Sequence, residues 1–123
     1  MKSTLRPLLA SALVGAALLG GQAHAAGVDA TKMLDLARSS GCLACHALDH
    51  AKVGPSYAEI ARRYQGRPDA VHTLQQAILN GHSGSWGLVP MPAYGGSQDL
   101  LTAAQARDLA RWVLSQAGAK AAP

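Results

Sequence analysis

The sequence contains no phenylalanine, and its five aromatic residues are 4% of a chain of 123. A core built only from its own rings would therefore be thin. Cysteine is nearly absent too: Cys42 and Cys45 stand in one short run, so no disulfide can staple distant parts of the fold. Charged residues are only 15% against 49% hydrophobic ones, which excludes a solvated polyelectrolyte and a wholly disordered chain. No apolar run reaches the roughly 20 residues of a membrane span. The length leaves room for one small domain.

The apolar run from Leu8 to Leu19 has a different meaning. Lys2 and Arg6 precede it and Ala23-His24-Ala25 follows it, the positive region, apolar region and small-x-small site of a secretory signal peptide. Residues 1–25 are expected to be removed on export, leaving residues 26–123 as a single domain. Loss of Lys2 and Arg6 takes the 11 basic side chains to 9, against 7 acidic ones, a net of +2. A nucleic-acid-binding domain carries a stronger basic field, and that class is closed. A bulky apolar cofactor would relieve the shortage of core.

Hydrophobic spacing gives helices and no convincing strand. Asp29 can cap a helix with Met33, Leu36 and Ala37 on one face, ended by Ser40-Gly41. Ser56 and Glu59 have capping-box spacing and open a second helix, with Ile60, Ala61 and Tyr64 inward and Gly66 as its stop. Asp69 can cap a third, with Val71, Leu74 and Ile78 inward, closed by Asn80-Gly81. A Gly/Ser/Pro-rich loop runs from His82 to Gly96. Thr102 and Gln105 then open a last helix with Ala106, Leu109, Ala110 and Val113 at i, i+3, i+4, i+7. The tail from Gly118 should fray. The expected fold class is all-α.

The chemistry concentrates in Cys42-Leu43-Ala44-Cys45-His46. This C-x-x-C-H spacing is the attachment pattern of haem c. Residues i and i+3 of one helical turn share a face, so both thiols can reach the two vinyl groups of one porphyrin, and His46 follows directly to ligate iron. A zinc site would need further ligands and no second cysteine pair exists. A thioredoxin-like dithiol would need a βαβ context that is missing.

Iron then needs a sixth ligand or an open position. Met33 sits on the apolar face of the first helix, where filling the core explains it. Met91 stands 45 residues after His46 in Val89-Pro90-Met91-Pro92. The flanking prolines fix φ and remove donors, giving a rigid extended strap without surrounding helix or sheet. A weak thioether ligand requires such rigidity, and Met91 is the favoured ligand. His50 is too near His46 to cross the ring, His72 falls on an exposed helix position, and His82 is the competitor, opening the same loop.

With these residues in view, the sequence resembles the small bacterial class I cytochromes c of the c-551 type. Cys42-Leu43-Ala44-Cys45-His46, Val53-Gly54-Pro55-Ser56-Tyr57, Asn80-Gly81, Gly84-Ser85-Trp86-Gly87, Pro90-Met91-Pro92 and Ala110-Arg111-Trp112-Val113-Leu114-Ser115-Gln116 carry the likeness. The resemblance implies about four helices around one haem c, bound by two thioethers, with His46/Met91 ligation. It implies a monomeric periplasmic electron carrier serving a respiratory donor and a terminal reductase or oxidase, and not an enzyme. A haem subunit of a larger respiratory complex, or a ligand-binding haem protein, would be the alternatives. It further implies that the Pro55 carbonyl accepts from His46, and that Trp86 either donates to a haem propionate or is an ordinary core aromatic. Two departures stand out. Ala93-Tyr94-Gly95-Gly96 replaces the usual Pro-Asn after the strap, so the Met91 sulfur either lacks a donor or borrows the Tyr94 hydroxyl; and Ala77 stands where some members carry a basic residue toward the propionate. Arg62, Arg63 and Arg67 read as a solvated cluster.

Overall fold

The computed structural model describes residues 27–119. The expected export signal, residues 1–25, and the chain end, residues 120–123, lie outside the described residues. Four α-helices, α1 (Ala30–Ser39), α2 (Tyr57–Tyr64), α3 (Ala70–Asn80) and α4 (Ala103–Leu114), are joined by loops with 3₁₀ turns at Cys42–Ala44, Gly96–Gln98 and Ser115–Gly118. Among the described residues no strand forms, only the isolated bridges His46–Ala51 and His82–Met91.

The helix starts follow from their caps. The Asp29 carboxylate accepts from the backbone N–H groups of Thr31 and Lys32 at 3.0 and 3.1 Å. Ser56/Glu59 and Thr102/Gln105 both close full capping boxes, satisfying N–H groups that a helix start leaves without partners. Asp69 stands at the cap position of α3 but makes no side-chain cap bond. The Arg67 guanidinium takes its carboxylate in a two-pronged pair at 2.9 and 3.2 Å, and Thr73 Oγ1 donates to it at 3.1 Å. A charged fork outcompetes a neutral N–H for the same oxygens.

Helix α4 packs against α1, α2 and α3. Alanines at 37, 58, 61, 106 and 110 are buried, and such short side chains let the helix backbones approach closely. Ile60, Tyr64, Leu74, Leu109, Trp112 and Val113 fill the remaining core, and Tyr57 meets Trp112 edge to face at 5.2 Å, a favoured aromatic arrangement. The three arginines are exposed, as expected, and each also has its own partner. Arg62 donates to the Ala117 carbonyl at 3.4 Å, Arg63 to the Ser85 carbonyl at 2.8 Å, and Arg67 pairs with Asp69.

Candidate functional site

The helices leave a cavity of about 860 Å³ including its open mouth, lined by Cys42, Cys45, His46, Pro55, Trp86 and Met91. All six sequence-predicted site residues thus come together around one space. Its lining is mostly apolar, with a few polar groups converging on it, as in sites that bind organic ligands. A second apolar cavity shares Cys42, His46, Leu74, Ala77 and Met91 with it and reaches back to Leu109, Ala110 and Val113 on α4.

The cysteine segment is a 3₁₀ turn rather than an α-helical one. Cys45 N–H donates to the Cys42 carbonyl at 3.2 Å and His46 N–H to the same oxygen at 3.0 Å. The first is the i→i−3 bond of a 3₁₀ turn and the second an α-type i→i−4 bond to the same oxygen, and both cysteines line the one cavity. Gly41 enters the turn at φ +80°, a left-handed conformation that glycine adopts without steric cost. Lys52 Nζ braces the turn through the Leu43 carbonyl at 2.6 Å. No disulfide joins the two cysteines, and burial is the main cause that pushes the Cys42 thiol pKa up.

His46 is held on several sides. Its Nδ1 lies 2.6 Å from the Pro55 carbonyl oxygen. Since that oxygen only accepts, Nδ1 carries the proton and the Nε2 lone pair is left for a metal. The ring stacks on Tyr57 at 5.4 Å and 19°. Gly54 closes the cradle, because a Cβ there would lie 2.8 Å from His46 Cε1. The segment is pinned by Gly54 N–H to the Cys45 carbonyl at 2.8 Å, Tyr57 N–H to Ala47 at 2.9 Å and Ala58 N–H to Leu48 at 3.0 Å. The last two bonds also satisfy N–H groups at the start of α2.

Met91 is fixed by more than its prolines. His82 and Met91 exchange both backbone hydrogen bonds, at 3.1 and 2.7 Å, and Tyr94 and Gly95 N–H groups bond the Ile78 and Leu79 carbonyls at the end of α3, each at 3.0 Å. The strap is therefore a one-pair ribbon tied to a helix end, where Pro90 and Pro92 alone were expected to suffice. Gly81 permits this at φ +77°, since a Cβ there would lie 2.8 Å from the Met91 carbonyl oxygen. The Tyr94 hydroxyl donates no hydrogen bond to the Met91 sulfur. Burial, then the Cys42 and Cys45 thiols, raise its pKa.

Trp86 is not a core aromatic. It lies at the cavity wall, partly exposed, with the Arg63 guanidinium 4.3 Å from its ring centroid. His72 and His50 are exposed, and His50 pairs with Asp49 at 2.8 Å. His82 lines the main cavity, and its Nε2 is the one buried side-chain polar atom among the described residues without a hydrogen-bond partner. Sequence reasoning missed the Gly54 cradle and the Arg63 clamp on Trp86. The Gly-Pro-Ser run hinted at the first, but nothing local hints at the second, whose anchoring bond from Arg63 to the Ser85 carbonyl spans 22 residues.

Among the described residues no group of three or more His, Cys, Asp or Glu side chains could hold a metal ion, so a closed four-ligand zinc site is not built there. Two thiols on one turn, one oriented imidazole, one braced thioether and an apolar cavity with one unpartnered buried nitrogen fit a covalently attached iron porphyrin.

Comparisons with known proteins agree with this geometry. The cytochrome c family model matches residues 34–117. The chain is 50% identical over 80 residues to cytochrome c-552 of Hydrogenobacter thermophilus, covering 65% of this chain and 76% of that one. It is 44% identical over 81 residues to cytochrome c-551 of Pseudomonas aeruginosa, covering 66% and 73%. The crystal structure of Nitrosomonas europaea cytochrome c552 superposes with a TM-score of 0.62 at 37% identity, covering 68% of this chain and 98% of that one.

Proposed function

The chain belongs to the cytochrome c family, and from that premise we propose that it is a periplasmic one-electron carrier between respiratory redox proteins. It is a small class I c-type cytochrome of the c-551 type with covalently attached haem c. In this reading Cys42 and Cys45 hold the haem by two thioethers, and His46 and Met91 ligate its iron. The carrying observation is that both prospective ligands face one cavity while each is fixed by its own backbone network.

Haem c supplies a one-electron ferric/ferrous couple. The protein's part is to keep the surroundings of that couple unchanged by its charge. The Pro55 carbonyl holds the His46 proton at Nδ1, which fixes the ring's tautomer and makes Nε2 a stronger donor. The braced strap presents the Met91 sulfur without demanding that a weak ligand order the loop. Ligation by His and Met raises the potential relative to ligation by two histidines. Leu74, Ala77, Pro90 and Pro92 give the cavity an apolar wall. Val53 and Val89 line the mouth and are exposed, and the adjacent Leu88 is 98% exposed, an apolar rim suited to brief contact with a partner. The small net charge left after export gives little long-range steering, so exchange rates should depend only modestly on salt. No helix among the described residues is long and apolar enough to cross a membrane.

Two measurements test the reading. Intact mass of periplasmic extract should show a chain beginning near Ala26 with one haem added; a dominant apoprotein with free thiols would end it. Ferrous protein should bind no appreciable carbon monoxide at neutral pH, since His46 and Met91 would both hold the iron. Prompt stoichiometric binding would instead promote an open-site, ligand-binding protein.

A further inference from the structure

We propose that His82 donates a hydrogen bond from Nε2 to a haem propionate. The proposal rests on the reading of Met91 as the axial ligand.

His82 and Met91 form a directly opposed, hydrogen-bonded pair, and side chains of such a pair lie on the same face of their ribbon. The imidazole is thus carried into the cavity beside the thioether. Its Nε2 is buried there with no partner, a state that costs free energy unless something the cavity receives completes it. The Met91 sulfur is not that partner, because no hydrogen bond joins the two. With iron already ligated by His46 and Met91, the remaining hydrogen-bonding groups of a haem are its two carboxylates. A carboxylate entering an apolar cavity needs donors as much as the buried Nε2 needs an acceptor.

The neighbouring wall suits the same task. Ser83 and Trp86 line the cavity beside His82, whereas Ala77 on α3 offers no donor. Arg63 fixes this corner by donating to the Ser85 carbonyl at 2.8 Å, and it sets a positive charge 4.3 Å from the Trp86 ring centroid. A neutral imidazole protonated at Nε2 suffices for the bond. Its effect on the couple has a definite sign. A donor to the propionate withdraws negative charge from the haem and favours the ferrous state, so its loss favours the ferric state.

The test compares holoprotein of the wild type, His82→Ala and His82→Gln by redox titration and by resonance Raman spectra of the propionate bending modes. His82→Ala should shift the equilibrium about fivefold toward the ferric form, about 40 mV at 59 mV per decade, and move those modes while the sulfur-to-iron charge-transfer band persists. His82→Gln keeps an amide donor near the same place and should recover most of both shifts. Unchanged potential and modes in His82→Ala, or a Gln variant indistinguishable from Ala, overturns the proposal. Loss of the sulfur band in His82→Ala alone also overturns it, because His82 would then act on Met91. Absence of that band in the wild type would instead be the failure of the ligand reading.

Discussion

Replacing Gly54 by alanine probes how the protein orients His46, the proposed iron ligand. The added methyl carbon would stand 2.8 Å from His46 Cε1 and 3.2 Å from Nδ1, where favourable carbon contacts lie at about 3.5–4.0 Å. The ring cannot simply retreat. Tyr57 is stacked on it at 5.4 Å and Pro55 holds Nδ1 at 2.6 Å. Relief of roughly 1 Å would stretch the latter bond beyond about 3.2 Å, the limit of a sound N–H···O contact. Overpacking costs about 1–3 kcal/mol, and a buried pair left unmade costs about 1–3 kcal/mol; because relaxation relieves one at the expense of the other, we expect a net loss of about 1–3 kcal/mol. A imidazole without its carbonyl acceptor is a poorer donor to iron, which disfavours the ferric state, so the potential should rise. Urea unfolding of the holoprotein gives the stability and redox titration gives the potential. If Gly54→Ala unfolds at the wild-type denaturant concentration and keeps the wild-type potential, the cradle does not orient His46 and the argument fails.

Other consequences follow from the same contacts. Met91→Ala should turn the ferric haem high-spin, or admit water or His82, and lower the potential. If it is instead His82→Ala that abolishes low-spin ligation, the assignment of Met91 is wrong. Ser56→Ala removes the acceptor of the Glu59 N–H at 3.1 Å and a donor to the Glu59 carboxylate at 2.8 Å, and thermal unfolding should report a loss of about 1–2 kcal/mol. Glu59 accepts from the Ser56 N–H and hydroxyl, which lowers its pKa below the ordinary 4.5. The stability this contributes is complete above pH 4.5 and is lost as pH falls through the lower folded value. Glu59→Gln should therefore flatten that part of the acid unfolding curve, and an unaltered acid limb would refute the linkage.

Most of the fold was legible because its signals are local. Three of the four caps use side chains within three residues of the N–H they satisfy, and the apolar faces repeat at helical spacing. Asp69 shows the limit of such reasoning. Its position is right, but Arg67 two residues earlier captures the carboxylate, and a cap preference does not register a competing fork. The cysteine turn was legible as a motif but not as a 3₁₀ turn, because its tightness depends on the Lys52 brace and on Gly41 entering at φ +80°.

The site divides along the same line, and the strap shows why. Pro90 and Pro92 make Met91 conspicuous in the sequence, since each proline removes conformations regardless of context. Rigidity within the strap does not fix where the strap lies. That comes from His82 across the loop and from the carbonyls of Ile78 and Leu79 at the end of α3, partners whose identity is backbone and leaves no trace in residue type. His82 was visible only as a rival ligand, because a histidine in a glycine-rich loop carries no sign of being paired with the methionine it would replace. Pairing changes its setting: the ribbon that places Met91 also carries His82, whose Nε2 is buried without a partner at the cavity wall, so the rival ligand is left with a nitrogen for whatever enters the cavity. A role that arises from a second residue's restraint can be read only after that restraint has been seen.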